Sequence, residues 1–510
     1  GAGSTGSYMA YLLWRAGYKV LLVDKGPLPT HFSPMGKRYA LWNLDFVNSK
    51  NFLEEGKLLL MRPELVGGGD TLGTQVSWPI TDAEMIHFIQ SKREAGSFPP
   101  LFYDEEKLSE LQANVSVSSG IRVMPDEELS SREKLFRETA LNYGLDVRAL
   151  RSGFGDASSD GRLIRSPYIK PNLPLDSYLR GPLSDYKNPL CFLPRVQVQK
   201  VIVQRIGTKL VTKGPVMKVL PWPRESDPVT DHEIYPLVRL KLPDNLVFKV
   251  LPKLVILSAG VLGTLQIMHN SGITHPELGK SIAFNFAQIL LGLYPRDLQS
   301  MTVPFTRVAL GPSRSNDMAP YEYLIHEIPF DGPHLAQIAG PYQEWSYPLF
   351  RHAAQVRTML VALMNEEVGG NSFDSSNGSF KYNNLETSFE KLKQGLLMAA
   401  KMHFDLGAQA VMLPQLSRGV EASTSFHFES LEKFEAYLAE LKQAPYGTPM
   451  LIFAPNGGAI RGQNSHQHHQ DSLLAPVDQL GRPQGFENLY VMDATVLPPG
   501  IGPYHSFFLK

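Results

Sequence analysis

The period of the apolar positions changes along this chain, and each change marks an element. Met9, Leu12, Leu13 and Ala16 recur at helical spacing, predicting a helix over residues 7–16 that Gly17 stops. Tyr18-Lys19-Val20-Leu21-Leu22-Val23 then reads as a buried strand ending at Asp24. Residues 104–143 read as helices, and 152–190, rich in Gly, Pro, Ser and Asp, as a long surface connection. Residues 190–220 are strand-rich, with Val196, Val198, Val201, Ile202 and Val203 leading. Leu254-Val255-Ile256-Leu257 is a further strand running into Ser258-Ala259-Gly260, and a helix is expected over 261–270. Beyond residue 300 short strands such as 321–326 mix with turns, before a helical segment, 385–406, with Phe389, Leu392, Leu396, Leu397, Ala399 and Ala400. Asn488-Leu489-Tyr490-Val491-Met492-Asp493-Ala494-Thr495 closes the pattern with a strand that ends in an acid.

Helix–strand alternation at both ends of the chain, around a strand-rich middle, predicts an α/β fold. Its Rossmann-like nucleotide-binding domain is discontinuous (1–110, 190–300 and 451–510). An α+β substrate domain on a mainly antiparallel sheet is inserted at 301–450, and 111–189 forms a helical and loop connection. No internal repeat is visible.

The chemistry begins with Gly1-Ala2-Gly3-Ser4-Thr5-Gly6, a G-x-G-x-x-G opening the first helix. Gly1 allows a tight turn, Gly3 lets backbone approach a pyrophosphate, and Gly6 lets helix and strand pack closely. The helix start, from Ser4 on, offers free N–H groups and partial positive charge to phosphates. Asp24, at the end of the next strand, can accept hydrogen bonds from a ribose. The competing reading is a glycine-rich turn in an ordinary α/β domain. Gly67-Gly68-Gly69 exposes backbone N–H groups and is a second candidate cradle. Ala259 and Gly260 are small residues at a strand's C-terminal end, where a ligand can cross the sheet edge. The motif stands at residue 1, where a strand normally precedes it. The sequence is therefore expected to be trimmed at its start, with any signal peptide outside it.

Composition narrows the partners. The chain has 510 residues, 43% hydrophobic, with Lys+Arg 49 against Asp+Glu 50 and net charge −1. No global field favours nucleic acid or an anionic membrane. Cys191 is the single cysteine, which excludes an intrachain disulfide and slightly favours a reducing, cytoplasmic setting. The most apolar stretch, 281–294, contains Asn285 and Gln288 and falls short of the roughly 18–20 residues of a membrane helix.

Together these blocks resemble the glucose–methanol–choline (GMC) family of FAD-dependent oxidoreductases, over most of the chain and most strongly at its ends and near 255–273. The resemblance assigns Gly1 to Gly6 and Asp24 to the FAD pyrophosphate and ribose. It sets Gly67, Gly68 and Gly69 beside the flavin, the Val198 backbone at the adenine, and Ala259, Gly260, Asp493 and Ala494 in the remaining cofactor blocks. The start of the chain is most like the pyranose-oxidase and long-chain alcohol oxidase branches. Leu72 stands where some relatives carry a histidine linked to FAD, so the cofactor is expected to be non-covalent.

The implied reaction oxidises a CH–OH group of a sugar or other alcohol to a carbonyl, with O₂ or another electron acceptor reoxidising the flavin. A histidine would take the hydroxyl proton. Counting from Gly458-Ala459-Ile460-Arg461 places Pro455 in that role, which proline cannot fill. Counting back from Asp478 gives His466 instead; Tyr504 aligns with the second catalytic position and His505 adjoins it. The expected catalytic residues are thus His505, His466 and Tyr504. His466, His468 and His469 beside Asp471 also read as a surface run or a metal site, and no metal is expected. Tyr342, Trp345, Tyr347 and Phe350 read as core or substrate wall, packing being favoured. A lyase, or a flavin-binding protein without redox turnover, is the alternative.

Overall fold

The structure is a computed structural model. It describes residues 1–26, 58–60, 76–77, 106, 110–111, 113–114, 121–153, 190–221, 242–298, 306–312, 321–328, 351–364, 366, 369–382, 385–413, 427–440, 450–452, 456–459, 476–478 and 480–497.

The first helix, Ser4–Arg15, forms as predicted but buries a different face: Tyr8, Ala10, Tyr11 and Trp14 are buried, whereas Leu12 and Ala16 of the predicted apolar face are exposed and Met9 and Leu13 half-buried, because the aromatic face packs inward. The chain returns as the strand Val20–Val23, which pairs in parallel with Leu190–Leu193. A second parallel pair joins Val255–Leu257 to Leu489–Val491. Parallel neighbours need a crossover between them, and here the crossovers are long enough to contain most of the protein. An antiparallel set of Val196–Ile206, Lys209–Val219 and Val247–Lys249 lies between these pairs in sequence.

The larger layer is a nine-stranded sheet. Its path runs Leu58–Leu60, Met450–Ile452, Phe286–Leu293, Val356–Leu363, Tyr321–Ile328, Arg307–Pro312 and Asp146–Ala149. Ala410–Met412 also pairs with Phe286–Leu293 and carries His427–Phe428 at its side. Leu58–Leu60 pairs in parallel with Met450–Ile452, and the other recorded pairings of this sheet are antiparallel. The fold is therefore mixed α/β with a mainly antiparallel second sheet. That sheet takes in strands at 58–60, 146–149 and 286–293, before the 301–450 span in which the sequence concentrates its short strands, and Met450–Ile452 at the end of that span.

The run that is most apolar in sequence is the central strand. Phe286–Leu293 is buried along nearly all its length and Val356–Leu363 along the whole of it. A strand covered on both faces needs no polar alternation. The helix Leu385–Asp405 supplies the cover on one face, burying Phe389, Leu392, Leu396, Ala399 and Ala400. Gly395 permits the close approach: a Cβ there would stand 2.5 Å from Val361 Cγ1. Ser131–Asn142, capped by Ser130 Oγ accepting from Glu133 N at 3.1 Å, packs at the sheet's far end. Within the span read as helical, Ile121–Val123 is a short strand.

Buried charge ties that helix to the sheet. Arg132 and Arg357 both pair with Glu327, the latter at 2.5 Å, with Glu327 and Arg357 almost wholly buried. Glu133 accepts from the Thr306 amide and, at 2.7 Å, from its hydroxyl, and burial raises its pKa.

Candidate cofactor and active site

The three motif glycines meet different surroundings. A Cβ on Gly1 would collide with the Ser258 carbonyl oxygen, and one on Gly6 with the Gly1 carbonyl oxygen. A Cβ on Gly3 would meet nothing within 4 Å. Two glycines are thus required by packing of the turn on itself and on residues 258–259, while the third opens on free space. Gly3 is the N-cap of the first helix and accepts Ser7 N–H at 3.0 Å, with no side chain capping the helix start. The first amides of a helix have no partner within it, so among the described residues the open space at Gly3 adjoins a helix start with free donors and partial positive charge. Such a cradle fits a phosphate group.

Asp24 anchors this turn. Its Oδ2 accepts Ala2 N–H at 2.6 Å and its Oδ1 accepts Gly26 N–H at 2.7 Å. Its backbone continues the parallel pair, donating to Leu193 O at 3.0 Å and accepting from Val196 N at 2.8 Å. A carboxylate oxygen has a second lone pair, so the clamp leaves each able to accept from a ribose hydroxyl. The clamping role was not foreseen from sequence, because the spacing of Asp24 relates it to a ligand and not to Ala2.

Ala259, Gly260, Asp493 and Ala494 come together at one junction beside Gly1. Asp493 is buried at the end of Leu489–Val491, whose following residue donates Met492 N–H to Leu257 O at 2.9 Å. Thr264 Oγ1 donates to Asp493 Oδ2 at 2.5 Å and accepts Ala259 N–H at 3.1 Å. Thr495 gives Asp493 Oδ1 both its amide, at 3.0 Å, and its hydroxyl. Burial raises the Asp493 pKa, and the Thr264 and Thr495 hydrogen bonds oppose the shift. Both threonines were missed at the sequence level, although Thr264 stands one helical turn after Gly260.

Val198 is half-buried in Val196–Ile206, at a register shift between Val198 and Lys200. This irregular backbone is fastened to the end of the Gly260–Asn270 helix: Asn270 Nδ2 donates to Gln199 O at 3.1 Å, and Ser271 Oγ accepts from Val201 N at 2.8 Å.

A second set of groups converges where Asn456–Gly457 pairs antiparallel with Ile282–Ala283. Asn456 is fully buried, and among the described residues neither its Oδ1 nor its Nδ2 has a hydrogen-bond partner. Glu366 Oε2 accepts from Phe284 N at 2.9 Å and Asn285 N at 2.6 Å, and its Oε1 accepts from Asn371 Nδ2 at 2.9 Å. Burial pushes Glu366 up to about 7 against these hydrogen bonds. Ala459 N donates to Thr495 O at 3.0 Å, linking this set to the Asp493 junction. The only sequence signal for it is the Asn-Gly-Gly run that follows Pro455.

Gly67, Gly68, Gly69, Leu72, Pro455, His466, His468, His469, Asp471, Tyr504 and His505 lie outside the described residues, as do Tyr342, Trp345, Tyr347 and Phe350. Among the described residues, no group of three His, Cys, Asp or Glu side chains could hold a metal, and no helix is long and apolar enough to cross a membrane.

No family model matches the chain. Two curated sequences from different strains of Mycobacterium tuberculosis, both named as uncharacterized GMC-type oxidoreductases, are each 25% identical to it over 273 residues. The match takes in 53% of this chain and 40% of each relative, so it spans about two-fifths of those relatives' length. Among solved structures, pyridoxine 4-oxidase from Mesorbium loti superposes with TM-score 0.60 at 16% identity, covering 100% of this chain and 96% of the other. A formate oxidase from Aspergillus oryzae, solved to follow the effect of a mutation on FAD modification, gives TM-score 0.59 at 13% identity and covers 100% and 95%. The chain has the fold of these two oxidases, and in sequence it is similar to GMC-type oxidoreductases.

Proposed function

We propose that this protein is an FAD-dependent oxidoreductase that converts a CH–OH group of a sugar or other alcohol to a carbonyl. The observation that carries the reading is the open face of Gly3 at the bare start of the first helix, with Asp24 holding the turn and Asp493 beside it. The GMC-type names of the curated relatives and the fold shared with two oxidases support it. FAD would be non-covalent, since Leu72 carries no nucleophile. It would lie across segments 1–110, 190–300 and 451–510, with Gly67, Gly68, Gly69 and the Val198 backbone completing its site and the substrate entering from 301–450. Within the family, the pyranose-oxidase and long-chain alcohol oxidase branches are the ones we favour for this chain.

FAD, when bound, supplies the hydride acceptor. The protein would contribute alignment of the alcohol and removal of one proton from its hydroxyl oxygen. We assign that proton to His505 or His466, with Tyr504 donating a hydrogen bond to the same oxygen. Loss of a general base costs about 10²–10⁴-fold in rate. O₂ or another electron acceptor would complete the cycle.

Anaerobic mixing of the flavin-loaded protein with a panel of sugars and aliphatic alcohols tests this. Bleaching of the visible flavin band is the expected result. A bound flavin that stays oxidised with every alcohol would sink the proposal in favour of a lyase or a non-redox flavin protein, the reading that Pro455 in the expected base position supports. Single His505→Ala and His466→Ala variants test the proton assignment; it fails if neither slows flavin reduction.

A further inference from the structure

Asn456 is the described side chain whose chemistry the fold leaves most open. It is fully buried, with both ends of its carboxamide unengaged among the described residues. A buried amide without partners is costly, and a leucine of similar size would pack without that cost. Native structures rarely leave such groups unpaired without a ligand, ion or water to meet them.

The frame around Asn456 is built to hold it still. Gly457 and Gly458 have φ of 93° and 97°, and opposite them Ser281 and Asn285 have φ of 54° and 49°. The two glycines take this conformation freely, but Ser281 and Asn285 are held in the left-handed region beside the two-residue pairing, and strain of this kind collects at ligand sites. A Cβ on Gly457 would approach Ser281 O to 2.5 Å, so the backbone has no slack there. Glu366 holds the Phe284 and Asn285 amides, Asn371 Nδ2 donates to Ile282 O at 3.1 Å, and Gly279 N donates to Gly458 O at 2.6 Å. Through Ala459 and Thr495 the same backbone reaches Asp493.

An amide offers one acceptor and one donor side by side. Its best complement is a planar ring edge presenting an N–H next to a carbonyl, on the principle by which asparagine reads a purine edge. We propose that the Asn456 carboxamide is a cofactor-contacting group that pairs with the pyrimidine edge of the flavin, Oδ1 accepting from the ring N3–H and Nδ2 donating to a flanking carbonyl. The inference rests on the FAD reading above and adds to it a recognition residue that the sequence motifs do not contain.

The test compares FAD with FAD methylated at flavin N3, titrated into apoprotein and read by flavin fluorescence. Wild-type protein is expected to bind FAD more tightly than the methylated cofactor by roughly tenfold or more. Asn456→Leu is expected to weaken FAD binding and to lose that discrimination. If the leucine variant does not fold, Asn456→Ala carries the same comparison. A variant that still discriminates as wild type does overturns the proposal. So does an equal loss for both cofactors, which would put the amide on another part of the molecule such as the adenine. Unchanged cofactor binding with a raised KM for the alcohol would assign Asn456 to the substrate and also overturns it. Wild-type protein that binds no FAD refutes the functional reading itself, which separates the two failures.

Discussion

Thr264 donates its hydroxyl hydrogen to Asp493 Oδ2 across 2.5 Å, joining the helix after one parallel strand to the turn after its neighbour. Both residues are buried, and the Thr264 oxygen also receives the Ala259 amide. Replacing Thr264 by valine keeps the shape and removes the donor. The expected cost is about 1–3 kcal/mol for leaving a buried carboxylate oxygen underbonded. Denaturant unfolding of Thr264→Val against Thr264→Ser measures it; the serine variant should retain most of the stability. Equal stability of the valine variant and wild type would show the contact to be idle.

The glycines of the first turn should separate folding from cofactor binding. A methyl on Gly6 collides with backbone, whereas a methyl on Gly3 projects into open space. Gly6→Ala is therefore expected to destabilise apoprotein and holoprotein alike. Gly3→Ala should leave the apoprotein's unfolding midpoint nearly unchanged while weakening FAD binding. Unchanged FAD affinity in Gly3→Ala would mean that no ligand lies against that face.

Glu366 makes stability depend on pH in a defined direction. Its folded pKa, about 7, lies above the ordinary glutamate value of 4.5. Between those values the folded state holds more protons than the unfolded one, so stability falls as pH rises through the window. The span amounts to roughly 3 kcal/mol at 1.36 kcal/mol per unit. Unfolding free energies at pH 5 and pH 8 should differ less in Glu366→Gln than in wild type. An identical pH dependence in the two proteins would contradict the assignment.

His403 works the opposite way. It is fully buried against Gly292, with Nδ1 at 3.0 Å from the Tyr294 hydroxyl, and burial and the nearby Arg357 depress its pKa to about 3. The unfolded chain takes up this proton near pH 6.5 while the folded chain does not, so stability falls as pH drops from 6.5 toward 3. Tyr294→Phe removes the hydroxyl partner and is expected to cost about 1–3 kcal/mol at neutral pH. NMR titration of the His403 imidazole provides a direct check: protonation near pH 6 in the folded protein would refute the buried neutral state.

Much of the outline is local and could be read from residue order. The first helix and its following strand, the run into Ser258-Ala259-Gly260, and the acid-ended strand at Asp493 are short patterns whose period sets their secondary structure within a few residues, although which face of the first helix is buried and the exposure of Leu21 in the following strand were decided by packing. The Gly1 to Gly6 turn is legible for the same reason, since steric demand at a glycine acts over a few bonds. Long-range pairing decided the rest. No pattern in 281–294 tells that it will be the central strand between Met450–Ile452 and Val356–Leu363, because an apolar run specifies burial and not a neighbour. Likewise Asp24 became the clamp on Ala2, Thr264 the donor to Asp493, and Asn456 a buried amide without hydrogen-bond partners among the described residues only once distant segments met. Hydrogen-bond satisfaction is a property of three-dimensional surroundings, and a single chain position does not carry it.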